Sequence, residues 1–533
     1  MRRTLAAAVV ALSTALTAAP AVSATTSTAT APRAATAGVA SADRDATAVK
    51  ARAALATASD LVTGDAAPSD AAPSDGVQRV DATLALTDLF ARLDHLRGPE
   101  RTAAEALLAR PTDGAGDVYG DGYTVRSKKK CAGNFCLHWV PTTADAPPGM
   151  TWVNRNLALL NKVWRFEVGK LGYRKPVSDG FVKGRNNGGN GKFDVYLADV
   201  GSQGLYGYCA PEYVRKSKPR LATGFCVLDN DFSRDQFSAP PRDSLRVTAA
   251  HEFFHAIQFG YDYLDDRWFK ESTATWIEER FADDVNDNRS YLVASQVQRP
   301  GYSMDVSGVS NFQQYGNWTW WEYLTVRYGA GIVRKVWNGA GQFKGAGRTY
   351  STKALTRVLG SRGGFRAVYN RYVGANVAPG RFYPEGGSWP SAKIGKTWKL
   401  TEDQRTASGV ATLNHLAARN FAAVPGGSLE SGRWRAKITV DGPAGRTSPA
   451  AYLTVKNTRG AWVEKAIRLN RDGRGSVVFP FSATKVREAV VSTVNASTRF
   501  ADCGGGSIYS CGGTPRDEGK KFRVSVKVYK KSR

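Results

Sequence analysis

The sequence predicts an α+β protein in which a helix-rich unit with a mixed sheet precedes a C-terminal β-sandwich. Apolar residues recur at helical spacing across 152–171 and 247–281, and between these stretches lie strand-like runs such as Phe193–Ala198. The segment at 379–390, rich in Gly, Pro and aromatic residues, is predicted to be a linker. Beyond it, alternating apolar and polar residues dominate, as in Phe522–Tyr529. At 533 residues the chain is also too long for a single hydrophobic core.

The N-terminus has the pattern of a secretory signal peptide. Met1–Ala24 begins with two arginines, continues through an apolar run and ends in Val22-Ser23-Ala24. The run is too short to span a bilayer stably, and no later stretch reaches about 18 uninterrupted apolar residues. We therefore expect a secreted, extracellular protein without a transmembrane segment.

Residues 25–117 are interpreted as a pro-segment that is partly disordered and partly helical. Thr25–Asp75 is rich in Ala, Thr, Ser, Asp and Pro without any aromatic residue, which predicts a disordered spacer. Leucines at helical spacing over 86–96 and a second pattern at Arg101–Arg110 predict two helices. The alternative is a helical pair that belongs permanently to the mature fold. Since the segment contains no cysteine, any inhibition by it would be steric or electrostatic.

The net charge of +26 is unevenly distributed. Residues 25–117 carry 13 acidic and nine basic side chains, and the signal peptide adds two arginines, so residues 118–533 carry +28. Such a surface attracts polyanions, for example an anionic cell-wall polymer, although a basic surface can also serve only solubility. The charge alone does not choose between these interpretations, and no motif indicates specific nucleic-acid binding.

Six cysteines form three locally close pairs, which predicts disulfides in an oxidising compartment. The pairs are Cys131/Cys136, Cys209/Cys226 and Cys503/Cys511. A structural zinc held by thiolates is the alternative, but no Cys-x-x-Cys pair occurs. The predicted organisation is a signal peptide at 1–24, the pro-segment at 25–117, a catalytic domain at 118–390 and the β-sandwich at 391–533.

The most specific motif is His251-Glu252-Phe-Phe-His255, within an apolar helical pattern. Residues four apart lie one turn apart on the same helix face, so His251 and His255 can both reach one metal ion. Glu252 is positioned to take a proton from a water on that metal. The alternative is a core helix with two hydrogen-bonded histidines.

A catalytic zinc needs a third protein ligand and an open position. The metzincin continuation requires Gly at 258 and His at 261, where this chain has Gln258 and Tyr261. His138 and His415 have no recognisable ligand spacing, which favours a downstream carboxylate. Asp265 and Asp266 are two candidates by position, and the segment that begins at Trp268 contains a further candidate carboxylate.

Trp268-Phe-Lys-Glu271-Ser-Thr-Ala-Thr-Trp-Ile-Glu278 resembles the Trp-x-x-Glu-Gly-x-Ala-x-x-x-Glu segment of gluzincin metallopeptidases, the aminopeptidase-N-like group in particular. The resemblance implies that Glu271 is the third zinc ligand and that Glu278 supports the site. It also implies a zincin-like fold for the catalytic domain. The chain departs from the pattern at Ser272 and in a shorter gap after His255. A carboxylate favoured by a helix N-terminus is the alternative for Glu271.

Over residues 80–420 the chain looks like secreted bacterial metallopeptidases that carry a C-terminal β domain. Gln314-Tyr315-Gly316 resembles the family segment whose tyrosine stabilises the transition state, which makes Tyr315 the candidate for that role. Asn317 and Trp318 depart from that segment. We also expect the strand before the metal helix, Gly224–Asp229, to form the edge that pairs with an extended substrate.

These observations predict a zinc peptidase that acts on a protein or peptide substrate with Glu252 as general base. The competing interpretation is a secreted protein that binds cell wall or polyanion, with a structural or degenerate zinc site. Esterase or amidase chemistry uses the same activated water and stays open.

Overall fold

The computed structural model describes residues 35–62, 82–113, 122–308 and 312–532. It is a mixed α+β structure with several sheets, which confirms the predicted fold class. The predicted signal peptide lies outside the described residues. Within them, no helix is both long and apolar enough to cross a membrane.

Most helices of the described residues lie between residues 82 and 382. In chain order they are α1 Ala35–Val62, α2 Thr83–Arg92, α3 Gly98–Leu107, α4 Met150–Trp164, α5 Pro241–Asp262, α6 Arg267–Phe281, α7 Gln313–Gly316, α8 Trp318–Tyr328, α9 Gly331–Ala340, α10 Ser351–Leu359, α11 Phe365–Ala375 and α12 Pro379–Phe382. A π-helical turn, Arg165–Lys170, extends α4.

Five strands form the sheet that positions the predicted motif. They are β1 Lys128–Ala132, β2 Phe135–Trp139, β3 Phe193–Ala198, β4 Gly207–Arg215 and β5 Lys218–Asp229, in the spatial order β1-β2-β3-β5-β4. The three central strands are parallel, and β1 and β4 pair antiparallel at the two edges.

The prediction that Gly224–Asp229 forms the edge strand is wrong. These residues belong to β5, which lies between β3 and β4. The chain reaches β5 through a tight hairpin from β4, so the earlier strand of the hairpin takes the outer position. The edge next to α5 is therefore β4.

The sheet is buried on both faces, because successive side chains of a strand point to opposite sides. Val195 and Leu197 of β3 pack into the core that contains α5, whereas Tyr196 and Ala198 pack into a second core. That second core is filled from the other side by residues of α1, α2 and α3. The predicted N-terminal helices thus cover the face of the sheet opposite α5.

The expectation of a disordered spacer over Thr25–Asp75 is wrong for the part that the structure describes. Ala35–Val62 is helical, and Ala51, Ala58 and Leu61 are buried. Alanine has the strongest helix propensity, and its small side chain allows close packing. The apolar stripe of this helix consists mainly of alanines, so the sequence has no periodic pattern of large apolar residues to indicate the helix.

The C-terminal strands form two larger sheets and one small one. They are β6 Ile394–Leu400, β7 Thr406–Leu413, β8 Ala417–Pro425, β9 Trp434–Asp441, β10 Pro449–Asn457, β11 Trp462–Ile467, β12 Arg474–Pro480, β13 Val486–Asn495, β14 Phe500–Ala501, β15 Thr514–Pro515 and β16 Lys520–Lys530. The sheets have the orders β11-β10-β13-β8-β6, β12-β9-β16-β7 and β14-β15. One hydrophobic core contains inward-facing residues of both larger sheets, including Val491 and Val526.

The stretch at 379–390 that was predicted to be a linker packs tightly. Trp389 is buried, with its ring 4.9 Å from Trp318 and 4.3 Å from Tyr383 between centroids. The core around α5 also includes Ala418 and Val494 from the C-terminal strands. The C-terminal sheets are therefore joined to the helical part by buried apolar contacts.

All three predicted disulfides are confirmed: Cys131–Cys136, Cys209–Cys226 and Cys503–Cys511. The second pair joins β4 to β5 directly beneath α5. The third lies in a loop that reaches the helical part, where the Cys511 amide donates to the Asp266 carboxylate at 2.6 Å.

Candidate metal centre

The predicted motif lies on α5, a helix that is buried over nearly its whole length. Pro241 occupies its first turn, where a missing N–H costs no helical hydrogen bond. His251 and His255 follow one turn apart, with ring centroids 4.8 Å apart. Both rings are buried against α6 rather than exposed on a surface face.

The second helix brings Glu271 to the two histidines. Its Oε2 atom lies 3.3 Å from Nε2 of His251 and 3.7 Å from Nε2 of His255. These three residues offer ligand atoms that all lie within 4.8 Å of one another. The structure thus brings together the three residues predicted as ligands, on two helices separated by a short turn.

Each histidine is held through the ring nitrogen that points away from this cluster. Nδ1 of His251 lies 2.6 Å from Oε1 of Glu278, and Nδ1 of His255 lies 2.8 Å from Oε1 of Gln258. An acceptor at Nδ1 places the ring proton there, so Nε2 keeps its lone pair for a metal. Gln258 is itself oriented by its amide donating to the Lys270 carbonyl.

The carboxylate of Glu271 shows that the cluster fits a cation. Both of its oxygens are buried, and no group in the described part of the chain forms a hydrogen bond with either of them. A buried carboxylate without compensation is costly. Two imidazole nitrogens and one carboxylate oxygen are a donor set that accepts a divalent metal ion such as zinc.

Glu252, the predicted base, lies beside the cluster and is buried. Its Oε2 accepts a hydrogen bond of 3.3 Å from the hydroxyl of Thr83, at the start of α2. A Cβ atom at Gly207 of β4 would come within 3.3 Å of the Glu252 side chain, so glycine there lets the strand pass close to the base. Sequence patterns gave no signal for Thr83, because it is 169 residues away.

Tyr315, the predicted stabiliser of the transition state, lies next to the histidines. Its ring centroid is 6.4 Å from that of His251, and its ring stacks on Tyr291 at 5.0 Å. A small cavity of about 40 Å³ is lined by Tyr315, His251, Glu252 and other residues. Tyr315 therefore faces the same space as the base.

Burial raises the pKa of two glutamates at this centre. Burial raises the pKa of Glu278 to about 7, although its hydrogen bond with His251 acts in the opposite direction. Burial also raises the pKa of Glu167 well above its usual value, against the influence of His251. Sequence reasoning missed Glu167 because a lone glutamate in an amphipathic pattern resembles an exposed residue.

His138, His415 and Asp266 have other partners. His138 lies 2.7 Å from Asp194, and His415 lies 2.7 Å from Asp305. Asp266 accepts hydrogen bonds from Ser351 and from the Cys511 amide. The described residues thus offer Glu271 rather than these groups as the third ligand.

Comparisons with known proteins give little further information. No model of a known protein family matches, and no curated protein matches. Among solved structures, PliG of Aeromonas hydrophila, a periplasmic inhibitor of g-type lysozyme, is 14% identical at a TM-score of 0.16, over 26% of this chain and 98% of PliG. A family GH115 4-O-methyl-alpha-glucuronidase with specificity for decorated arabinogalactans is 10% identical at a TM-score of 0.14, over 54% of this chain and 38% of that one.

Proposed function

We propose that this chain is a secreted zinc-dependent peptidase with a zincin-like catalytic domain and a C-terminal β-sandwich. The observation that carries the proposal is the convergence of His251, His255 and Glu271, with Glu252 adjacent to them. Two histidines and one carboxylate are the ligand set of catalytic zinc in several peptidases, and they leave a coordination position open. The resemblance of the α6 segment to gluzincins supports peptides as the substrate class.

Each side chain of the site has a separate role in hydrolysis. Bound zinc would supply a Lewis acid that lowers the pKa of a water molecule and polarises the scissile carbonyl. Glu252 takes the proton from the attacking water and delivers it to the leaving amine. Glu278 and Gln258 hold the two imidazole rings in the orientation that ligation requires. Tyr315 is the candidate donor to the developing oxyanion.

The proposal is tested by digesting a peptide library with the purified zinc-loaded protein, with and without a chelator, and sequencing the products by mass. We expect chelator-sensitive cleavage at internal or terminal peptide bonds. Ester or amide hydrolysis without peptide cleavage would instead favour the esterase or amidase interpretation.

A second candidate function, binding to an anionic cell-wall polymer, is favoured by one face of the C-terminal part. The outward side of the sheet β12-β9-β16-β7 carries six basic residues: Arg435, Lys437, Arg474, Lys521, Arg523 and Lys527. Lys437 lies directly opposite Lys527 on the neighbouring strand, and like charges in that register destabilise a sheet. Asp441 is the one acidic residue on this face of the described strands, and it pairs with Arg474 at 3.0 Å.

Retention on isolated cell wall containing teichoic polymer tests this second function. Replacing Lys437 and Lys527 by threonine should lower retention several-fold at low salt, and the difference should shrink as salt rises. The matched control replaces Lys399 and Lys465, which are exposed on the other large sheet, and changes the net charge equally. Equal losses of retention in both variants would show that retention depends on the overall charge alone.

A further inference from the structure

We propose that the first turn of α2 is an autoinhibitory latch, which holds the chain latent through the hydroxyl of Thr83. The inference rests on the proposed function, because it assigns a regulatory role at the same site. In this arrangement Thr83 occupies hydrogen-bonding positions on the edge strand and on the base that a substrate backbone and an attacking water would otherwise use.

The first half of the latch is a contact with β4. This strand has β5 on one side and no strand neighbour on the other within the described residues. The backbone amide of Cys209 donates a hydrogen bond of 2.8 Å to Oγ1 of Thr83. An extended peptide that binds to an open sheet edge uses such outward-facing amides as donors to its carbonyl oxygens. Thr83 therefore holds a position that an added substrate strand would need.

The second half of the latch is a contact with Glu252. The same hydroxyl that accepts from Cys209 donates to Oε2 of Glu252 at 3.3 Å. A general base must accept a proton from the water that it activates. While Thr83 donates to this carboxylate, it occupies an acceptor position that the base would offer to the water. One side chain thus obstructs both substrate binding and proton transfer.

The helix is firmly held along its length, whereas its first turn has no side-chain cap. Ala85, Leu86 and Leu89 are buried in the core on the far side of the sheet. In contrast, Ala82 at the N-cap provides no side-chain hydrogen bond to the first turn. Alanine is among the poorest residues at this position. Opening of the first turn alone would release Thr83 without removing α2 from the core.

Further along the same segment, Arg110 fixes the N-terminal helices to the sheet. Its guanidinium group is buried and pairs with Asp179 and Asp194 at 2.8 Å each, and with Glu212. Complete departure of the segment would leave three carboxylates without this cation, which is strongly unfavourable. A local movement at Thr83 therefore fits the structure better than loss of the whole segment.

The test replaces Thr83 in the full chain. Thr83→Val keeps the shape without the hydroxyl, Thr83→Gly also loosens the first turn, and Thr83→Ser restores a hydroxyl. The matched control is Thr356→Val on α10, where the hydroxyl also donates to a carbonyl one turn earlier, that of Thr352. Selective ¹⁵N labelling of the six cysteines reduces the amide spectrum to six signals, and exchange of the Cys209 signal with D₂O measures closure independently of catalysis.

We expect the Cys209 amide to exchange about 3- to 10-fold faster in the Val and Gly variants, because each loses a hydrogen bond that holds the closed turn. Peptide hydrolysis should rise by a similar factor, whereas the Ser variant and Thr356→Val should resemble the wild type. Unchanged exchange in both the Val and Gly variants would overturn the latch. A fall in hydrolysis with zinc retained would also overturn it, since Thr83 would then assist catalysis.

The experiment can overturn the latch and the peptidase activity independently of each other. Faster exchange of the Cys209 amide without hydrolysis in any variant would support the latch as a closure of the site and overturn the peptidase. Chelator-sensitive hydrolysis that none of the Thr83 variants alters, together with unchanged exchange, would support the peptidase and overturn the latch.

Discussion

Two buried clusters of carboxylates lie on opposite faces of the same sheet, and they differ in what compensates their charge. On one face Arg110 pairs with Asp179, Asp194 and Glu212. On the other face Glu271 lies beside two histidines, and no arginine or lysine of the described residues pairs with it. The cation of the first cluster is Arg110, a residue of the chain. The second cluster could hold a metal ion, and under the proposed function it takes this ion from solution.

Under the proposed function, the difference separates a structural cluster from a functional one. A guanidinium group fills its cluster permanently and leaves no position for a substrate. A metal ion held by three protein ligands keeps a position open for a water molecule. Residue types alone do not distinguish the two, because His138 and Asp194 also form a histidine–carboxylate pair in the first cluster.

The largest expected effect is on catalysis at the metal centre. Glu252→Gln should lower peptide hydrolysis by about 10²- to 10⁴-fold, since it removes the general base and leaves the ligands in place. Zinc content, measured by elemental analysis on the same sample, should not change. A variant that keeps more than a tenth of wild-type hydrolysis would show that another group takes the proton.

The first cluster should respond in stability rather than in metal content. Arg110→Met should lower the free energy of unfolding by about 3–5 kcal/mol, because it leaves buried carboxylates unpaired. Denaturant unfolding measures this loss, and Arg101→Met, on the same segment but partly exposed, is the control. If zinc restored the stability of Arg110→Met, the two clusters would not be independent.

A third cluster sharpens the comparison, because a charged histidine serves as its cation. Burial lowers the pKa of His415, but Asp305 and Glu518 raise it to about 9 overall. The folded-state pKa is higher than the unfolded value of about 6.5. The stabilisation is therefore complete below pH 6.5 and is lost as the pH rises through 9, by up to about 3 kcal/mol. His415→Gln should remove this part of the pH dependence in unfolding experiments between pH 6 and 10.

The smallest expected effect concerns the support of a ligand. Glu278→Gln should weaken zinc binding by about 10- to 100-fold, because Nδ1 of His251 loses its charged acceptor. Competition with a chromogenic chelator measures the change in affinity. Glu322→Gln is a matched control, since Glu322 is also buried, lies 3.4 Å from Arg280 and belongs to neither group of residues that could hold a metal ion. Equal zinc affinities in the two variants would show that Glu278 does not support zinc binding.

Local spacing predicted the parts of the site that lie close together in the sequence. His251 and His255 share a helix face because they are four residues apart, and Glu271 was reached through a motif on the next helix. The same reasoning predicted β3 and the three disulfides, whose partners are at most 17 residues apart.

Features that depend on distant packing were not predictable in this way. The order β5-β4 at the sheet edge depends on which strand of a hairpin takes the inner position. The contact between Thr83 and Glu252 joins helices on different sides of the sheet. Buried alanines such as Ala51 and Ala58 have no large apolar signature, so α1 resembled a spacer. In each case tertiary contacts supplied what the local pattern did not contain.

The central claim is that the cluster of His251, His255 and Glu271 requires a metal ion, and elemental analysis after equilibration with zinc tests it most directly. We expect one zinc per chain in the wild type and in Arg110→Met. In Glu271→Gln most or all of the zinc should be lost. A wild-type chain that binds no zinc, or a Glu271→Gln variant that binds as much as the wild type, would contradict the claim.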